Sequence, residues 1–263
     1  MRQHLPWTRA PRDSALVAAA LAVCVVANIT ASPVVAAAGS VHASPVGAGV
    51  PPEMTYQRVA AWPAGTRQPR DGTRWTVVYL GDSMAVATTA DLRAELPDWN
   101  VIARNHGGTA PCDWADPDTL AELFATTRPD VVVFSFIGNS ITPCTQHARG
   151  DDLLGAYRAD LVSICRAAAP ARCVAVGQPT LGPLVERTLP GPDEPTTTYR
   201  HHALLGHWGF IDAGGSTETI TGTFDPTQRD PDGVHFSTTG ASHQAATIAG
   251  YLRWLTTSPM TSR

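Results

Sequence analysis

The sequence predicts an α/β fold: a three-layer sandwich built on a flavodoxin-like, doubly wound parallel sheet of about five strands with helices on both faces. Three observations carry this. Short apolar, β-branched runs alternate with helical stretches across residues 75–255. The runs are apolar nearly throughout, as strands buried on both faces are. Their spacing leaves room for a helical crossover between successive strands, which makes those strands parallel.

The elements follow in order. Residues 75–80 form a buried strand that ends in Gly81. Residues 85–96 read as a helix that Pro97 stops. A short strand follows at 100–103. Asp116-Pro117 opens a helix as an N-cap followed by an N1 proline, running to about Thr127. Residues 131–137 are the clearest central strand. Residues 151–169 are helical, with Leu153, Leu154, Tyr157, Leu161, Ile164 and Cys165 on one face. Strands at 173–176 and, more weakly, 210–212 precede a closing helix at 238–255. In such a sheet the reactive groups collect at the carboxyl ends of the strands.

The domain plan has three parts. Residues 1–38 read as an export signal: Arg2, Arg9 and Arg12 precede an apolar run at 15–27, and Ala36-Ala37-Ala38 supplies an A-x-A cleavage site. That run is shorter than the roughly 20 residues of a spanning helix, although an uncleaved leader would act as a membrane tether. Leu21-Ala-Val-Cys24 resembles a lipobox, with Val23 too large for the small residue expected there. Residues 39–72 form a linker rich in Pro, Gly and small residues. Residues 73–258 form the folded domain.

Composition excludes some functions. Every basic residue is arginine, and the net charge is −4. Loss of the leader would bring it to about −6, leaving no basic stripe for nucleic acid. Beyond Cys24 the chain holds Cys112, Cys144, Cys165 and Cys173, which admit three pairings. Proximity favours Cys165 with Cys173, and hence Cys112 with Cys144. The spacing does not suit zinc, and an oxidising compartment is the simpler account. The expectation is a secreted or envelope-associated bacterial monomer that needs no cofactor or metal.

Four segments can carry chemistry. Gly81-Asp-Ser-Met84 sets Ser83 where a strand ends and a helix begins, among outward-pointing N–H groups suited to an oxyanion. The bland alternative is that Ser83 caps the helix. Asp232-Gly-Val-His235 pairs an imidazole with a carboxylate able to hold its Nδ1–H, or is simply a turn. Gly138-Asn139 ends the central strand, where the asparagine amide could donate to an oxyanion. Asn105-His-Gly-Gly108 ends the second strand, where a glycine permits close backbone approach.

In order and approximate spacing, Ser83, Gly108, Asn139 and His235 resemble the four invariant residues of the SGNH hydrolase (GDSL-type esterase/lipase) family. The resemblance spans about residues 77–255. It implies Ser83 as nucleophile and His235 as general base and then acid, oriented by Asp232. The N–H groups of Ser83 and Gly108 and the side chain of Asn139 would form the oxyanion hole. Two departures stand out. Ser140 replaces the aspartate that usually follows the family's asparagine, and Gly107 adjoins Gly108 as an alternate donor.

The implied activity is serine ester hydrolysis through an acyl-serine. Without a long apolar insert near the site, short acyl groups such as acetyl are expected, on a small-molecule or glycan ester. The alternatives are transfer of the acyl group to an envelope glycan, as the sequence also resembles the periplasmic domain of some membrane acyltransferases, and a non-catalytic envelope binding module. Residues 179–198, rich in Pro and Thr, are the expected specificity loop. His201, His202 and His207 cluster on an expected helix without further metal ligands. Trp114 and Trp208 are candidates for either groove or core. Asp82 is expected to support the loop rather than serve His235.

Overall fold

A computed structural model describes residues 68–70, 72–183, 199 and 208–257. The leader, nearly all of the linker, the three clustered histidines and most of the 179–198 loop lie outside them.

The sheet has five parallel strands: β1 (Thr76–Gly81), β2 (Asn100–Asn105), β3 (Val131–Ser135), β4 (Arg172–Val176) and β5 (Gly209–Ile211), in the order β2-β1-β3-β4-β5. Among the described residues four helices accompany it: α1 (Ser83–Glu95), α2 (Pro117–Thr127), α3 (Gly150–Ala167) and α4 (Thr238–Thr257). This is the expected architecture. Successive side chains of a strand face opposite ways, and β1 divides accordingly. Val78 and Leu80 join a core with Leu120 and Phe124 of α2 and Leu153, Tyr157, Leu161 and Ile164 of α3. Val77 and Tyr79 join another with Leu92 of α1 and Ile248 and Leu252 of α4.

Boundaries moved by a few residues, each for a local reason. The central strand stops at Ser135, not at residue 137. The Ile137 N–H is bonded to the Asp82 carboxylate instead of a neighbouring strand. Helix α1 begins at Ser83, two residues early, because the Asp82 side chain accepts from Met84 N–H and acts as the N-cap. In α2 the Asp116 cap and N1 Pro117 are as expected, with Asp116 Oδ1 accepting from Thr119 N–H at 2.9 Å. The structure joins Cys112 to Cys144 and Cys165 to Cys173, the pairing that proximity favours. No helix among the described residues is long and apolar enough to cross a membrane.

Candidate active site

The carboxyl ends of β1, β2 and β3 and the loop before α4 converge at one end of the sheet. Their common floor is a small apolar cluster of Met84, Ile137, Leu181, Phe236 and Ala241. Met84 follows Ser83, Ile137 lies two residues before Asn139, and Phe236 follows His235. Packing these three together is what brings segments distant in sequence to one place.

Ser83 occupies the first turn of α1 and is half-buried. With Asp82 as the cap, Ser83 is released from the capping role that a lone Gly-Asp-Ser would suggest. Its hydroxyl makes no hydrogen bond among the described residues, and its backbone N–H is one of the unpaired donors of a helix start. Gly81 is dictated by crowding: a Cβ there would lie 2.4 Å from Ser135 O and from Ala85 Cβ.

On the loop after β2, Gly107 approaches the nucleophile closely, since a Cβ on it would lie 3.8 Å from Ser83 Cβ. Gly108 has φ +77°, a conformation that favours glycine. Beside it lies the 65 % exposed Ile141, whose Cδ1 is 3.4 Å from where a Gly108 Cβ would be. Thr109 secures this loop: its hydroxyl donates to His106 O at 2.8 Å and accepts from Trp114 Nε1–H at 3.2 Å. Trp114 therefore braces the loop, whereas Trp208 is buried edge-on against Phe134 in the core.

Asn139 is more constrained than its sequence position implies. Its Nδ2 donates to Asp82 Oδ2 at 2.9 Å and to Thr109 O at 3.2 Å. Its own carbonyl accepts from Tyr157 O–H, and Phe136 O accepts from Tyr199 O–H, each at 2.9 Å. These tyrosine anchors were not foreseen. Tyr157 was legible only as a core-facing helix residue, because periodicity reports a face and not what a hydroxyl at its tip will meet.

Asp82 is the hub. Fully buried, its carboxylate accepts from Met84 N–H, Ile137 N–H and Asn139 Nδ2, so it supports the loop as expected. Burial pushes its pKa up to about 7, against the pull of the Ile137 and Met84 N–H groups and of nearby His235. Asp232 and His235 form a close couple: His235 Nδ1 lies 2.5 Å from Asp232 Oδ2, while Asp232 Oδ1 accepts from the N–H groups of Val234 and His235. Partial burial raises the Asp232 pKa, but the ring and the two N–H donors outweigh it and hold the carboxyl below its usual range. The structure thus gathers Ser83, Gly107, Gly108, Asn139, Asp232 and His235 at one sheet edge.

No family model matches the sequence, and no curated protein does. Solved structures do match. The chain is similar to a lipase/acylhydrolase from Enterococcus faecalis, with 16% identity, a TM-score of 0.55, and coverage of 72% of this chain and 99% of that one. It is similar to a GDSL-like lipase from Bacteroides thetaiotaomicron, with 13% identity, a TM-score of 0.54, and coverage of 72% and 90%. It is also similar to an acetyl esterase solved with an acetate ion, with 17% identity, a TM-score of 0.50, and coverage of 69% and 98%. The fold is that of the SGNH, or GDSL-like, hydrolases.

Proposed function

We propose that this protein is an exported serine ester hydrolase that cleaves short-chain acyl esters, such as acetyl esters, through an acyl-serine intermediate. The Asp232–His235 couple on the Ser83 edge of the sheet carries the reading. A carboxylate on Nδ1 fixes the tautomer that leaves Nε2 free to take a proton.

Ser83 Oγ attacks the ester carbonyl as its proton passes to His235 Nε2. The C–O bond to the alcohol then breaks, and His235 returns the proton to the departing oxygen. Water, deprotonated by the same ring, cleaves the acyl-serine to the carboxylic acid and restores Ser83. The developing oxyanion is met by the N–H groups of Ser83 and Gly108 and by Asn139. The Asn139 N–H held by Thr109 O at the longer 3.2 Å is the one that exchanges this carbonyl for the oxyanion. Its shorter bond to Asp82 keeps the amide aimed.

Export is supported by the two disulfides and by the leader-like N-terminus. The acetyl esterase among the structural neighbours supports a short acyl group. The test is hydrolysis of p-nitrophenyl esters of increasing chain length, with fluorophosphonate labelling. Ser83→Ala should abolish both turnover and labelling while the thermal melt stays unchanged. Full activity in that variant refutes the assignment, and rates that rise with chain length refute the short-acyl preference.

A further inference from the structure

Beside the catalytic couple lies a cavity of about 290 Å³ whose wall includes Asp232 itself, together with Gly182, Phe224, Pro226, Arg229 and Asp230. Its size falls near the lower end for ligand pockets, roughly 300–1,000 Å³, which suits one small ring better than a long chain. We infer that this cavity is a monosaccharide subsite that seats the alcohol half of a glycan ester. The inference rests on the hydrolase reading above and adds the leaving group to it.

Position favours the alcohol. The departing oxygen takes its proton from His235, so the group attached to it belongs on the His235 side. The cavity is built from that histidine's own loop, Arg229 to Gly233. Chemistry favours a sugar over the other occupants. Phe224 is partly exposed and puts an aromatic ring in the wall, against which the C–H side of a pyranose can pack. Asp230 is exposed, and its carboxylate makes no hydrogen bond among the described residues, leaving both oxygens to accept from adjacent hydroxyls.

Arg229 braces the wall beneath these groups. It is only 4 % exposed, with its guanidinium over the Phe236 ring at 4.7 Å. Its Nη atoms are held by Thr217 and by Gln228 O, while its buried Nε has no partner among the described residues. Burial lowers its pKa to about 10, against the pull of Glu218 and Asp225, so it stays charged at neutral pH. An acyl chain would leave the Asp230 carboxylate unmatched. An anion would face Asp230 and Asp232. A neutral polyol brings hydroxyl donors to these acceptors without adding a like charge.

The walls are preformed. Gly182 N–H donates to Gly233 O at 2.8 Å, and a Cβ on Gly182 would lie 3.0 Å from Gly233 Cα, so the two loops lie in contact. Little ordering is left to the moment of binding.

The experiment compares ethyl acetate with the 6-O-acetyl esters of methyl glucoside and methyl N-acetylglucosaminide, in wild type, Phe224→Ala and Asp230→Asn. Each substitution should raise KM for an acetylated glycoside about tenfold, the scale of one lost contact, with kcat retained. Ethyl acetate kinetics should stay within about twofold. In parallel, saturation-transfer NMR should show the unesterified methyl glycosides binding Ser83→Ala and failing to bind Ser83→Ala/Phe224→Ala. Equal losses on both substrates, unchanged glycoside kinetics, or no glycoside bound would overturn the subsite. Wild type that hydrolyses neither substrate yet binds the glycosides would instead refute the hydrolase reading and leave the sugar site standing.

Discussion

Asp82 concentrates the competing demands on a single side chain. Its carboxylate ties the start of α1 to the β3 loop and fixes Asn139, and it does so without any solvent. Because its pKa stands near 7 in the fold and near 3.8 in the unfolded chain, the folded protein keeps a proton that the unfolded one loses. Asp82's stabilising contribution is therefore full below about pH 4 and declines as pH rises towards 7. The lowered Asp232 acts in the opposite sense and below that window, where stability is lost as pH falls through its folded pKa. Urea midpoints at pH 4.5 and 7.5 should show the decline, and Asp82→Asn should flatten it; an equal decline in both proteins would place the proton elsewhere. The same variant puts an amide in place of a carboxylate on which three N–H donors converge. It should cost about 1–3 kcal/mol in stability and lower kcat with KM little changed, as a misaimed Asn139 predicts.

Helices α1 and α4 pack against each other on one face of the sheet, and the buried side of α4 contains a flaw that pattern reading passes over. Gln244 lies on the inward stripe of α4 and is fully buried, yet neither its Oε1 nor its Nε2 has a hydrogen-bond partner among the described residues. Leaving such atoms unpaired costs roughly 1–3 kcal/mol. Gln244→Met keeps the length of the side chain and removes both polar atoms, so it should stabilise the fold by about 1–2 kcal/mol. Urea denaturation measures this, and a loss of stability would mean that the amide is satisfied after all. Sequence periodicity placed α4 correctly because its apolar residues recur at helical spacing. A glutamine within that stripe changes the energy of the contact and not its period.

Across the molecule, what the sequence made legible was the order of layers and the chemistry at the strand ends. The central strands β1 and β3 are apolar over most of their length and buried throughout, and each reactive residue stands near the end of a strand or the start of a helix. Long-range pairing was not legible: Asp82 with Ile137, Tyr157 with Asn139 O and Tyr199 with Phe136 O join segments that only the packed sheet brings together. Nor was the Arg229 cavity, since a buried arginine looks in sequence like any surface one. The disulfides are the covalent form of the same long-range order, and they differ in reach. Cys112–Cys144 closes a separation of 32 residues and joins the loop after Gly108 to the loop after Asn139, whereas Cys165–Cys173 closes 8 between α3 and β4. If the main effect is restriction of the unfolded chain, the first contributes about 4 kcal/mol and the second about 2.5 kcal/mol. For a domain of this size, replacing Cys112 and Cys144 by alanine should lower Tm by roughly 8–16 °C, and replacing Cys165 and Cys173 by less. The two variants should also differ in function well below their melts. Freed from its staple, the oxyanion edge loosens and kcat falls in the first, while the second keeps wild-type turnover. Paired thermal melts and p-nitrophenyl acetate kinetics check both, and equal Tm losses with equal kcat would refute a special role for the longer bridge.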